Sequence, residues 1–207
     1  MNKKIEYLGN RVLRNLRELV NFPKWYYSDR KSVPDNHFYK RNRIKKIQKN
    51  YKFEVFVETG SFYGQMIGAI QNEFIKIISI EIYKPLFELN NLYYKNSKKV
   101  TIYSGDSSQV LPNIMSDINH KSVLFWLDGH YSGTGTGLGT EVSPIINELK
   151  IIFESEPNKF CIIIDDYRLF TGADGYPNKN SVIDLIKTYG LNYEIYADND
   201  ALVILSK

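Results

Sequence analysis

From residue 53 onward, short runs rich in β-branched and aromatic residues alternate with stretches of helical periodicity, and nothing else in the chain restricts its fold as strongly. Strands are expected at 54–58, 77–81, 100–103, 122–127 and 160–164, with helices at about 64–74, 85–96, 107–117 and 141–155 between them. Each helical stretch is long enough to return the chain to the same edge of a sheet. The pattern therefore implies parallel strands covered by helices on both faces. A further helix, about 180–189, ends at Gly190, a residue suited to the left-handed position that follows a helix. The last two runs, 193–196 and 201–206, are joined by Asp198-Asn199-Asp200 and read as an antiparallel hairpin.

In an open sheet of this kind, ligands gather at the carboxyl ends of the strands, so the residues placed there carry the functional information. The first strand runs into Val57-Glu58-Thr59-Gly60-Ser61-Phe62-Tyr63-Gly64 and then directly into a helix. Glycines at such a turn let the backbone approach a ligand closely, and the helix start offers unpaired N–H groups. The spacing matches neither the dinucleotide Gly-x-Gly-x-x-Gly nor a phosphate loop ending in Gly-Lys-Ser/Thr. The second strand ends at Glu81, about 20 residues beyond the turn, where a carboxylate is placed to accept hydrogen bonds from ribose hydroxyls. The third ends in Ser104-Gly105-Asp106-Ser107, in which Asp106 and Ser107 either cap the next helix, meet an adenine amino group, or do both.

The fourth strand ends in Leu127-Asp128-Gly129-His130-Tyr131 and the fifth in Ile164-Asp165-Asp166-Tyr167-Arg168. Three carboxylates at the ends of adjacent strands repel one another unless a positive group sits between them. A hard divalent cation with oxygen ligands is the economical solution; the alternative is that one carboxylate caps a helix and another meets Arg168. His130 has a reference pKa near neutrality and stands beside this cluster, which makes it the candidate general base. His37 and His120 have no such setting. The following Ser132-Gly133-Thr134-Gly135-Thr136-Gly137-Leu138-Gly139 segment reads as a substrate loop.

The Glu-x-Gly-x-x-x-Gly turn resembles motif I of class I S-adenosylmethionine (SAM) dependent methyltransferases, and residues 100–112 resemble the adenine-binding segment of catechol-type small-molecule O-methyltransferases. Asp128, Asp165 and Asp166 fall where the metal-dependent branch of that family holds Mg²⁺. The combination Leu-Asp-Gly-His-Tyr-Ser-Gly with Ile-Asp-Asp-Tyr-Arg also resembles methyltransferase-like proteins of bacterial surface-glycan clusters. The resemblance implies a Rossmann-like class I methyltransferase fold, a seven-stranded mostly parallel sheet closed by a C-terminal antiparallel hairpin. It further implies SAM held by Glu58, Gly60, Ser61, Gly64, Glu81, Asp106 and Ser107, a divalent cation held by Asp128, Asp165 and Asp166, and methyl transfer to a hydroxyl of a sugar or surface-glycan precursor with Asp128 and His130 as catalytic residues. The family's lysine base would fall at Tyr131 here.

Residues 1–50 lie outside that resemblance and are expected to form a helical extension to the methyltransferase domain that it implies at 51–207. They hold 14 Lys+Arg against 4 Asp+Glu, a balance of +10, whereas the rest of the chain balances at −6. Such an arm suits an anionic substrate, a nucleic acid, a membrane surface, or plain solvation. Nucleic acid is not the expected partner, because no Asn-Pro-Pro-Tyr-like motif follows the fourth strand. Within 5–20, apolar residues recur at helical spacing, the signature of a stripe that packs on its own domain or makes a homo-oligomer contact. Pro23 is expected to end that helix. Asp35 or Asn36 should cap a second, at about 36–50, with Trp25-Tyr26-Tyr27 in the loop between them. The lone Cys161 excludes an internal disulfide, and no apolar run approaches the ~20 residues that span a bilayer; the expected location is the cytoplasm. A non-catalytic methyltransferase-like binding module with a basic docking arm is the competing expectation.

Overall fold

A computed structural model describes residues 3–28, 33–118, 120–131, 133, 135–190 and 192–207. Seven strands form one sheet in the order β3-β2-β1-β4-β5-β7-β6. The strands are β1 (Val55–Thr59), β2 (Lys76–Glu81), β3 (Val100–Ser104), β4 (Ser122–Leu127), β5 (Lys159–Ile164), β6 (Tyr193–Asp198) and β7 (Ala201–Ser206). β1 to β5 are mutually parallel, while β7 runs antiparallel to both β5 and β6. The expected parallel sheet and terminal hairpin are thus both present.

The alternation of side chains explains why helices cover both faces. Val55, Val57, Ile78, Ile80, Phe125, Leu127, Ile162 and Ile164 point into one apolar layer, beneath α5 (Ser107–Ile118), α6 (Ile145–Glu154) and α7 (Lys179–Thr188). Phe56, Ile77, Leu124, Trp126, Cys161 and Ile163 point into the other, against Ile44 and Ile47 of α2 (His37–Tyr51) and Met66 and Ile67 of α3 (Gln65–Ile70). Burying an aliphatic side chain contributes about 1.5–3 kcal/mol, so each strand is anchored from above and below. α4 (Lys84–Tyr94) closes the β2–β3 crossover. α6 starts at Ile145 rather than 141, since residues 137, 139, 141 and 144 line a cavity as a loop.

The N-terminal segment departs most from expectation. α1 (Lys3–Tyr26) runs through Pro23 instead of ending there, and Tyr27 N–H still reaches the Pro23 carbonyl at 3.0 Å. Proline so near a C-terminus forfeits a single internal bond. The last turn is retained by aromatic packing, with the rings of Trp25 and Tyr39 5.0 Å apart, so Trp25 and Tyr26 lie in the helix and not in a loop. Residues 29–32 of that expected loop, like Ser132 and Thr134 of the glycine segment, lie outside the described residues.

α1 also turns its apolar stripe outward: Ile5, Val12, Leu13, Leu16, Leu19 and Val20 are each more than half exposed. The opposite, polar side docks. Tyr7 donates to the Tyr63 carbonyl at 2.8 Å, Arg11 and Arg14 lie over the Tyr93 and Phe62 rings at 4.9 and 4.7 Å, and His37 N–H donates to Glu18 at 3.1 Å. No helix among the described residues is long and apolar enough to cross a membrane.

α2 is anchored more firmly. Asn36, rather than Asp35, caps it by accepting from Phe38 N–H at 2.9 Å. Asp35 instead pairs with the buried Arg43 guanidinium, which also holds Asp198 of the hairpin at 2.9 Å.

Candidate active site at the carboxyl edge of the sheet

Strand register brings the expected residues to one rim. Thr59 is paired with Ile80 on one side and Leu127 on the other, and Leu127 with Ile164. The next residue along each strand is therefore Gly60, Glu81, Asp128 or Asp165, and all four emerge side by side. This rim is the place where strand order reverses, between β1 and β4.

A cavity of about 360 Å³ opens there, lined by Gly60, Phe62, Glu81, Asp106, Ser107, Asp128, Gly129, His130 and Asp166 among others. That volume lies within the range of small-molecule and cofactor sites. Gly60 adopts φ +86°, and a Cβ there would stand 2.5 Å from the Asp128 carbonyl oxygen, so no other residue fits where β1 and β4 diverge. Glu81 holds the turn from the next strand, accepting from Phe62 N–H at 2.7 Å and Tyr83 N–H at 2.8 Å. Burial raises its pKa, and the N–H groups of Tyr83, Phe62 and Ile82 pull it back down.

Asp106 does two jobs at once. It accepts from Ser108 N–H at 2.9 Å at the start of α5, and from the Thr140 N–H at 2.9 Å and hydroxyl at 3.0 Å. The second set ties the glycine-rich segment down, so that Thr136, Gly137 and Gly139 line the cavity.

Three expected cofactor residues do not line the cavity. Glu58 is fully buried on the face of the sheet, where it accepts from the Ser79 hydroxyl at 2.6 Å; burial raises its pKa well above the usual carboxylate range. Ser61 sits behind the turn, its hydroxyl 2.6 Å from that of Ser79. Gly64, at φ +62°, is the residue before α3, and a Cβ there would meet Asn90 at 2.6 Å. These three shape the turn from inside.

The acidic cluster has an occupant that strand-by-strand reading missed. Lys40, from α2, extends its ammonium to Asp165, and stands 3.6 Å from Asp166. Arg168 pairs with Asp166 at 2.6 Å and with Asp200, which is the Arg168 half of the alternative raised by the sequence; Asp166 precedes the short helix Tyr167–Leu169 without capping it through its side chain. His130 bridges two acids: Nδ1 is 3.5 Å from Asp128 and Nε2 is 3.3 Å from Asp166. Burial lowers the His130 pKa against the pull of Asp166 and Asp165. Burial raises the pKa of Asp128 and of Asp165, and Lys40 opposes both shifts. Burial would lower the Lys40 pKa, but Asp165, Asp128 and Asp166 outweigh it and hold the amine as ammonium.

In the metal set named from the sequence, Asp128, Asp165 and Asp166, Lys40 already holds one oxygen of Asp165, while the other is buried without a hydrogen-bond partner. Asp128, His130 and Asp166 do offer ligand atoms within 4.8 Å of one another. Lys40 and Asp166 also border a second cleft of about 660 Å³, which runs beneath α1 and includes Arg14, Arg17, His37 and Gln65. Lys40 therefore stands where the two cavities meet.

No protein-family model and no curated protein matches the chain. Solved structures do. An O-methyltransferase from Bacillus cereus in complex with S-adenosylhomocysteine (SAH) aligns with a TM-score of 0.61 at 11% identity, over 100% of this chain and 91% of its own. An SAH-bound methyltransferase from Podospora anserina gives 0.57 at 12% identity, over 100% and 88%. An O-methyltransferase of tomaymycin synthesis from Streptomyces achromogenes, in complex with SAM, gives 0.54 at 9% identity, over 81% and 80%. At these identities the likeness is one of fold: the chain has the Rossmann-like fold of methyltransferases.

Proposed function

We propose that the protein is a SAM-dependent O-methyltransferase acting on a hydroxyl of a small molecule, with a sugar or surface-glycan precursor as the substrate class. The observation that carries this reading is the cavity at the switch point, where the Gly60 turn, Glu81 and Asp106 line one wall and Asp128, His130 and Asp166 the other. The first group would hold the nucleoside and the second would face the methyl group.

When bound along Gly60, Glu81 and Asp106, SAM would supply an electrophilic methyl group for in-line transfer to the acceptor oxygen, with the sulfur keeping the electron pair of the C–S bond. The hydroxyl proton passes to His130, whose imidazolium Asp128 and Asp166 would stabilise. Lys40 is the wrong group for that proton, since its carboxylate partners hold it charged. The acceptor would enter through the cleft beneath α1, and catalysis would rest mainly on orientation and exclusion of water.

A divalent cation is the second reading, favoured by the spacing of Asp128, His130 and Asp166; when bound there it would supply Lewis-acid polarisation of the acceptor hydroxyl. The outward stripe of α1, with Ile5, Val12, Leu16 and Leu19 spaced seven, four and three residues apart as in a helix seam, supports a contact between two copies of the chain.

Incubating the protein with methyl-labelled SAM and a fractionated pool of small-molecule and glycan-precursor acceptors tests the function. Label transferred to a hydroxyl, and lost in His130→Ala, is the expected result. Label on nitrogen or carbon alone would refute O-methylation.

A further inference from the structure

We infer that Lys40 is the resident cation of this site: the N-terminal segment inserts an ammonium among Asp128, Asp165 and Asp166, at the position where the family resemblance calls for a metal. The inference rests on the proposed function only in taking this cluster as the acceptor side.

Three features of the structure support it. The Lys40 side chain is only 13% exposed and that of Asp165 is fully buried. A buried ammonium is retained only when paired, so both partners depend on the contact. Lys40 is also aimed rather than free to wander. Arg43, one turn along α2, is fixed to Asp35 and Asp198, and Ile44 is buried in the core. Finally, the charges are apportioned: Arg168 takes Asp166 and Asp200, Lys40 takes Asp165 and approaches Asp166, and His130 lies between Asp128 and Asp166. Asp165 keeps its other carboxylate oxygen buried without a hydrogen-bond partner, but a metal ion bound through it would face the Lys40 ammonium across the same carboxylate.

Lys40 acts through its partners and is thus a positioning residue. It keeps the Asp165 and Asp166 carboxylates together, which in turn fixes the wall against which His130 rests. α2 then belongs to the active site itself through Lys40, although nothing in the strand-end motifs calls for it.

The test uses the full chain, stripped of metal, titrated calorimetrically with Mn²⁺ and separately with SAH. Wild type is expected to show no saturable Mn²⁺ binding that depends on Asp165. Lys40→Gln should gain Mn²⁺ affinity by about tenfold or more, a gain removed by adding Asp165→Asn, while Lys40→Arg should behave as wild type. One-to-one Mn²⁺ binding by wild type that Asp165→Asn abolishes would overturn the inference, as would equal Mn²⁺ affinities in wild type and Lys40→Gln. The wild-type and Asp165→Asn pair decides the matter if Lys40→Gln does not fold. Failure of wild type to bind SAH would overturn the proposed function and leave the Lys40 result standing.

Discussion

Glu81 and Glu58 look alike in the sequence, each an acid at the end of an apolar strand, yet the structure gives them opposite settings, and replacing each by Gln separates the roles proposed for them. Glu81 accepts two backbone N–H bonds, at 2.7 and 2.8 Å, and faces the cavity. Gln keeps one acceptor oxygen and turns an NH₂ group toward the other donor. One charge-assisted bond is lost and two donors are opposed, a cost of about 1.5–3 kcal/mol to the turn and to any hydroxyl the carboxylate holds. At 1.4 kcal/mol per tenfold, SAH affinity should fall by about 10- to 100-fold. Glu58 is buried with a raised pKa and accepts from Ser79. Gln retains that acceptor and mimics the protonated acid, so SAH affinity should stay within about threefold, or ~0.6 kcal/mol. Calorimetric titration of SAH into both variants measures the difference. Equal losses, or a larger loss for Glu58→Gln, would refute this division of roles.

Arg43 is buried against Asp35, so Arg43→Met should cost about 3–5 kcal/mol in urea denaturation by leaving Asp35 uncompensated; a loss under ~1 kcal/mol would contradict the anchoring of α2. Burial holds the His37 pKa down at about 3, so the unfolded chain takes up a proton near pH 6.5 that the folded chain refuses. Stability contributed by the neutral imidazole is present above pH 6.5 and is lost as pH falls toward 3. Wild type minus His37→Gln should therefore show a difference in stability that shrinks by about 1.4 kcal/mol between pH 7.5 and 5.5, read from paired melts. A flat difference would place His37 in solvent. Leu16→Glu, on the outward stripe of α1, should shift a dimer to a monomer in light scattering, and a wild type already monomeric at high concentration would refute the proposed contact.

The sheet was legible in the sequence because strand identity rests on local composition and period. All five crossover strands begin and end within a residue or two of the expected positions, and the hairpin lies where Asp198-Asn199-Asp200 put it. The carboxyl-edge cavity followed, since register alone aligns Gly60, Glu81, Asp128 and Asp165. Direction along the pleat was harder to read. Glu58 pairs with Ser79 across β1 and β2, so its side chain lies against the sheet face and not beyond the strand end. Lys40 was out of reach of strand-end reasoning, because it lies 125 residues from Asp165 and the rule connecting them is the packing of α2. The orientation of α1 failed for another reason. An apolar stripe ordinarily faces inward, but here arginines over tyrosine and phenylalanine rings and a buried Tyr7 hydroxyl make the polar side the docking side.

The central claim is that the cavity bounded by Gly60, Glu81 and Asp106 holds SAM. Calorimetric titration of the protein with SAM tests it most directly. Saturable one-to-one binding in wild type, lost in Gly60→Val because the added side chain collides with the Asp128 carbonyl, is the predicted result. Absence of binding by wild type, or undiminished binding by a folded Gly60→Val variant, would contradict it.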